Sequence, residues 1–284
     1  MRLQSMGPML ADARSGGYAI GAFEFWSYDS AMAVVCAAKR LRVPAILQIG
    51  PFERDYLDGH ANAAKVARMA AAETDLPVSL HLDHSNDYDD VMAALEAGYP
   101  SVMIDASSLP YEENVALTRR VVREAARYGA TVEAELGSLE GSEGGAESGG
   151  QTLTEPSQAA DFVGRTGIGV LAIAIGTAHG FYTRPPNIDV PRLREIAKAV
   201  PIPLVLHGGS GTPDAKVAEC VSCGISKVNI CTEFIAAFGK AYSAAQSEAG
   251  FKYNVNSLFR RGMEAASMLA ESKMRLFLNG KRPY

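Results

Sequence analysis

The stretch VLAIAIGTAHG, residues 170–180, decides how the chain is read. Six apolar residues in unbroken succession fit a strand buried on both faces of a parallel sheet, where the usual alternation of polar and apolar side chains is lost. The strand then gives way to a short glycine-bearing turn that presents His179 and Gly180. The same design recurs in VSLHLDHS (78–85), which presents His84, and in PLVLHGGSG (203–211), which presents His207. Three imidazoles at the ends of three apolar strands are what a barrel enzyme needs to hold one divalent metal.

Working outward, eight such runs are spaced along the chain. They are YAIGAF (18–23), PAILQI (44–49), PVSLHL (77–82), PSVMID (100–105), ATVEAEL (130–136), GVLAIAI (169–175), PLVLH (203–207) and SKVNI (226–230). Between them lie segments with 3.6-residue periodicity, such as DYDDVMAALEAG (87–98) and EENVALTRRVVREAARYG (112–129). Eight strand-helix units predict an α/β fold, a closed parallel (β/α)8 TIM barrel, as one domain over residues 1–284. Proline precedes several strands (Pro44, Pro77, Pro100, Pro203), where a missing N–H costs least. Beyond the eighth strand, helical patterns over 233–248 and 257–276 predict extra C-terminal helices, an extension from about residue 249 suited to subunit packing or a cap.

Length and composition bound the reading. A chain of 284 residues can bury roughly three quarters of its unfolded surface. With 48% hydrophobic residues, 21% charged residues and a net charge of −5, it lacks the basic excess that nucleic acid or an anionic membrane surface calls for. No apolar run approaches the roughly 20 residues of a membrane span, and the first residues lack the apolar core of a signal peptide, so a cytoplasmic location is expected. Four cysteines do not make a disulfide framework, and the Cys220/Cys223 pair has no second half for a structural zinc, which leaves packing as its expected role. His60 sits in the surface-like stretch DYLDGHANAA, where a structural or solvated role is expected.

Two stretches carry further chemistry. Gly208-Gly209-Ser210-Gly211 opens the seventh connection and Asn229-Ile230-Cys231-Thr232 the eighth, where barrels commonly bind phosphate with backbone amides and a helix N-terminus. GSLEGSEGGAESGGQTLTEP (137–156) interrupts the connection after the fifth strand, at the face where barrel active sites form, and reads as a functional lid.

The motifs HLDHS (81–85), SVMIDASSLPYEEN (101–114), VEAELGSLEG (132–141), AIGTAHG (174–180), LVLHGGSG (204–211) and KVNICTE (227–233) together resemble the class II, metal-dependent ketose-bisphosphate aldolases, in particular the fructose- and tagatose-bisphosphate branch. The resemblance runs in order from about Gly21 to Lys240. It implies a lyase that reversibly cleaves a ketose 1-phosphate or 1,6-bisphosphate to dihydroxyacetone phosphate and an aldehyde, through a metal-stabilised ene-diolate. It places His84, His179 and His207 as ligands of one catalytic Zn²⁺, with Asp83 as the acid/base at the hydroxyl that becomes the aldehyde. It places Gly180, Gly208, Gly209, Ser210, Asn229, Ile230, Cys231 and Thr232 at the donor-phosphate site, and Glu143 in the lid as the group that moves the carbon-bound proton. Asp105 and Glu135 fall near a second metal, a monovalent cation or the ligands' supporting shell. A homo-oligomer, dimer or tetramer, acting on a small sugar phosphate is implied.

The departures fall on the acceptor side. The family commonly has asparagine where Glu24 stands in GAFE (21–24), small residues where QIGPFER (48–54) stands, and in many fructose-bisphosphate members aspartate where Cys231 stands. Glu24 and Arg54 are therefore expected to shape the acceptor pocket. A metal-dependent sugar-phosphate epimerase or isomerase and a non-catalytic phosphosugar-binding protein stand as alternatives.

Overall fold

The computed structural model describes residues 3–139, 142–143, 146–147, 152–182, 186–249 and 254–282, with backbone alone at 142–143, 146–147 and 249. Eight parallel strands close into a barrel: β1 (Ile20–Glu24), β2 (Ala45–Ile49), β3 (Val78–Leu82), β4 (Ser101–Ile104), β5 (Thr131–Leu136), β6 (Val170–Ile173), β7 (Leu204–Leu206) and β8 (Ile225–Ile230). Each strand pairs with its sequence neighbours, and β1 closes the ring against β8 with Ala22 opposite Asn229. The (β/α)8 expectation holds. Most strands are one to three residues shorter than the apolar runs because terminal proline and turn residues leave the ladder, while β8 gains Ile225.

Inward-facing residues of a strand recur at every second position. At the start of β1, β2, β6 and β7 these positions are apolar: Ile20 and Ala22, Ile46, Val170 and Ala172, and Val205 form one buried cluster, while β3 and β4 bring Ser79 and Ser101. Two residues further along, the same parity brings Glu24, Gln48, Glu133, His207, Lys227 and Asn229, all buried. The barrel thus has an apolar floor and a polar upper chamber. Outward-facing residues pack under the surrounding helices in the larger core, with Phe162, Phe234, Leu80 and Ile104 fully buried.

The floor is sealed by a helix the sequence reading did not foresee. In α1 (Met6–Gly16), Met6, Met9, Leu10 and Ala13 are buried in the floor cluster. The Met6 N–H donates to Ser101 Oγ at 3.0 Å, and the Arg14 guanidinium donates to the carbonyls of Ala197, Val200 and Ile202. At the other terminus, α10 (Thr232–Ala249) is the helix after β8, and α11 (Val255–Phe277) packs on it and on α2 (Tyr28–Leu41) through Ala266, Ala270, Met274 and Phe277. No helix of the described residues is long and apolar enough to cross a membrane.

One hub ties the helices after β2 and β3 together. Asp90, in α5 (Tyr88–Glu96), accepts from His60 Nε2 at 2.9 Å, Arg54 Nη1 at 2.5 Å and Ser85 Oγ at 2.7 Å. His60, the first residue of α4 (His60–Ala71), is buried against the Tyr99 ring, so its role is structural rather than solvated. None of the four cysteines is in a disulfide, and burial pushes the Cys220 thiol up to about 12, in keeping with packing.

Burial alone would raise the Asp90 carboxyl, but the hydrogen bonds from His60 and Ser85 and the nearby cations outweigh it and hold the group at about 2. A depressed folded-state pKa contributes stability above the ordinary value of 3.8 and loses it as pH falls through about 2. Asp90→Asn is therefore expected to lower stability near neutral pH by about 1–3 kcal/mol, reduced by its partial exposure. Urea unfolding from pH 7 to pH 2 should show the deficit against wild type closing between pH 4 and pH 2; a pH-independent deficit would contradict the assignment.

Candidate active site

The upper chamber opens at the C-terminal ends of the strands. The β2 to β3 ladder runs one residue past β3, with the Asp83 N–H donating to Ile49 O at 3.0 Å. His84 then adopts a left-handed backbone, φ 48°, which a non-glycine residue takes only when its surroundings enforce it. Its Nδ1 lies 3.0 Å from Asp105 Oδ2, just beyond β4, and Asp105 Oδ1 accepts from both the N–H and the hydroxyl of Ser107. Burial pushes Asp105 up, but the hydrogen bonds from His84 and Ser107 prevail and hold it at about 2.

His207 follows β7 directly, and its Nε2 lies 2.8 Å from Glu133 Oε1. His179 arrives from the turn after β6. The His84 and His207 ring centroids are 4.5 Å apart, those of His84 and His179 5.1 Å, and those of His179 and His207 6.1 Å. One nitrogen from each of the three lies within 4.8 Å of the others.

This donor set fits a divalent metal. Asp105 and Glu133 each hold one nitrogen of their histidine, which turns the remaining nitrogens, His84 Nε2 and His207 Nδ1, toward each other at 2.7 Å. With one nitrogen of each ring turned to a carboxylate, the two that remain converge where a shared cation can bind both. Of the two carboxylates expected near the centre, Asp105 holds His84, and Glu135 Oε2 stands 3.6 Å from His207 Nδ1.

Asp83 lies beside the histidines and is buried. Its Oδ1 accepts from Asn229 Nδ2 at 3.1 Å, and its Oδ2 accepts from Gln48 Nε2 at 3.2 Å. The Gln48 amide also donates to Glu24 Oε1 at 3.2 Å, and Glu24 Oε2 accepts the Gly50 N–H at 3.1 Å. Glu24 and Asp83 are thus joined through one amide. Beneath them His81 is fully buried and neutral, lowered to about 3 by burial and by the Lys227 ammonium against the pull of Glu133 and Asp83.

The glycine-rich connections pack tightly. Gly208 has φ 67°, and a Cβ there would stand 2.4 Å from the Ala178 carbonyl oxygen. The Tyr182 hydroxyl fastens the two connections, accepting the Ala178 N–H at 2.9 Å and donating to Gly208 O at 3.0 Å. Ser210 Oγ accepts the N–H groups of Cys231 and Glu233 at the start of α10, and Gly211 donates to Glu233 Oε1. Gly180, with φ 85°, lies after β6 and Gly209 after β7, while Ile230 ends β8 and Thr232 opens α10.

Three expectations need placing. Asn229, whose stretch was expected to offer backbone amides to the donor phosphate, turns its side-chain amide to Asp83. Arg54, expected toward the acceptor, is engaged by Asp55 and Asp90. The segment 137–156 is anchored at its base by the Ser138 and Thr152 bridge and by Thr154, and its backbone pairs Ser142–Glu143 with Ala146–Glu147; the Glu143 side chain lies outside the described residues. Gln48, Glu133, Lys227 and Tyr182 were missed. The first three had a signal: each is a polar residue at an inward position of an otherwise apolar strand.

Gly208→Ala and Gly129→Ala make a matched pair, since both glycines are left-handed (φ 67° and 66°) but nothing lies within 4 Å of a Cβ at Gly129. Both should lose about 1–2 kcal/mol to backbone strain, and Gly208→Ala at least about 2 kcal/mol more, measured by urea unfolding. Equal losses would mean the connections after β6 and β7 are not tightly packed.

The fold and the convergent histidines define a barrel enzyme with its chemistry at the C-terminal face. The model of the class-II fructose-bisphosphate aldolases matches residues 4–282, and the chain belongs to that family. It is 44% identical over 235 residues to the D-tagatose-1,6-bisphosphate aldolase subunit GatY of Klebsiella oxytoca, covering 82% of each chain. It is 36% identical over 279 residues to a probable fructose-bisphosphate aldolase of Bacillus subtilis, covering 98% of each. Among solved structures, the YdjI aldolase of Escherichia coli K12 superposes with a TM-score of 0.85 at 31% identity, over 99% of this chain and all of that one. The protein is an aldolase, a carbon–carbon lyase.

Proposed function

We propose that the chain is a zinc-dependent aldolase, one catalytic domain over residues 1–284, that cleaves a ketose 1-phosphate or 1,6-bisphosphate to dihydroxyacetone phosphate and an aldehyde. The observation that carries the reading is the convergence of His84, His179 and His207 beside the buried carboxylate of Asp83. The three histidines hold the ion. When bound, it supplies Lewis-acid stabilisation of negative charge developing on the donor half of the substrate.

The chain's own groups then account for the protons. Asp83, oriented by Asn229 and Gln48, accepts the proton of the hydroxyl that becomes the aldehyde carbonyl as the neighbouring carbon–carbon bond breaks. The bonding pair stays with the donor carbon, and Glu143, carried by the segment after β5, returns a proton to it. The donor phosphate is read by Gly180, Gly208 to Ser210 and Asn229 to Thr232, where close backbone approach favours an anion.

Relatives named for fructose- and tagatose-bisphosphate support a ketose phosphate substrate. The acceptor half is a different matter. Glu24 sets a buried carboxylate where the family commonly has a neutral amide, which disfavours a nearby anion and favours a hydroxyl-rich acceptor. The same reading makes the protein a cytoplasmic dimer or tetramer, supported by exposed apolar side chains such as Val255 and Met268 on α11.

The test is release of triose phosphate from a panel of ketose 1-phosphates and 1,6-bisphosphates. Exhaustive chelation should abolish turnover, and Asp83→Asn should lower kcat by about 10²–10⁴ with metal content unchanged. Full activity without metal would overturn the reading. A kcat/KM of about 10⁴ M⁻¹s⁻¹ or more on either bisphosphate would overturn the acceptor argument alone.

A further inference from the structure

We infer that Glu133, clamped by Lys227, is a positioning residue for the metal centre: it holds His207 in the tautomer whose Nδ1 lone pair faces His84. The inference rests on the reading of the three histidines as metal ligands and concerns two residues that the proposed chemistry does not touch.

The three groups come from separate parts of the barrel: Lys227 from β8, Glu133 from β5 and His207 from the end of β7. All are buried, Lys227 and Glu133 completely. The Lys227 ammonium donates to Glu133 Oε2 at 2.9 Å and Oε1 at 3.2 Å, and the same Oε1 lies 2.8 Å from His207 Nε2. An ammonium can only donate, so both Glu133 oxygens are bound as acceptors, and the hydrogen between Glu133 and His207 must come from the ring. That fixes the hydrogen on Nε2 and leaves Nδ1 as the metal-facing nitrogen, 2.7 Å from His84 Nε2. No other ring competes for the carboxylate: His81 Nε2 is 3.5 Å from Oε2, and neither His81 ring nitrogen makes a hydrogen bond among the described residues.

The experiment compares two charge-neutral double variants that differ in one acceptor atom. Glu133→Gln with Lys227→Met keeps an oxygen that can accept from His207, whereas Glu133→Leu with Lys227→Met does not, and neither leaves a buried charge unpaired. Zinc affinity is measured by competition with a chromophoric chelator. The Gln form should bind within a few-fold of wild type and the Leu form about 10–100-fold more weakly. Equal affinities in the two variants overturn the proposal, whether both match wild type or both fall. Wild type that takes up no zinc overturns it together with the metal reading. Should the Leu form not fold, the zinc-loaded wild type with ¹⁵N-labelled histidine decides alone: the ring hydrogen of His207 belongs on Nε2, and finding it on Nδ1 overturns the proposal.

Discussion

Taking an ion out of water costs several kcal/mol even after the protein relaxes around it, and a barrel interior offers few places to recover that energy. The upper chamber nevertheless holds Glu133, Lys227, Asp83, Asp105 and Glu24 with little or no exposure. Every one of these groups is engaged by another strand or connection: Glu133 by Lys227 and His207, Asp83 by Asn229 and Gln48, Asp105 by His84 and Ser107. The site and the barrel are therefore one structure. The charges keep the strand ends in register, and the closed ring keeps the charges within reach of each other.

The barrel was legible because parallel strands buried on both faces leave a coarse mark, an unbroken apolar run followed by a turn, repeated eight times. The histidines were legible for the same reason, since each interrupts such a run at its end. What escaped was the direction of side chains across the barrel. Asn229 reads locally as part of a phosphate connection, yet its partner is Asp83, 146 residues away. Arg54 reads as a loop cation open to substrate, but Asp90 claims it from another helix. Neither pairing leaves a trace in local sequence. Gln48, Glu133 and Lys227 could have been found by asking why a polar residue sits at an inward position; α1 could not, because its modest apolar face gives no hint that it closes a floor.

The two halves of the site are made of different material. The connections after β6, β7 and β8 rely on glycines and backbone groups, clamped by the Tyr182 hydroxyl and by Ser210. The side next to β1 and β2 relies on the side chains of Glu24 and Gln48. A backbone-built surface cannot be altered without moving a strand, whereas a side-chain-built one changes with a single codon. The departures from the family pattern at Glu24 and residues 48–54 lie on the second kind of surface, and that at Cys231 on the first.

The helix that plugs the floor has a consequence for how the chain comes to be folded. Its anchors are remote: Met6 bonds Ser101 across 95 residues, and Arg14 reaches Val200 and Ile202 across 186 and 188. During synthesis α1 emerges well before its last partners, which leave the ribosome 186 and 188 residues after Arg14. At roughly 5–20 residues per second, that is an interval of about 10–40 s in which Met6, Met9 and Leu10 have no floor to enter. A helix made this long before its partners must wait for its place, and its methionine-bearing face is the surface a nascent chain must keep covered while it waits.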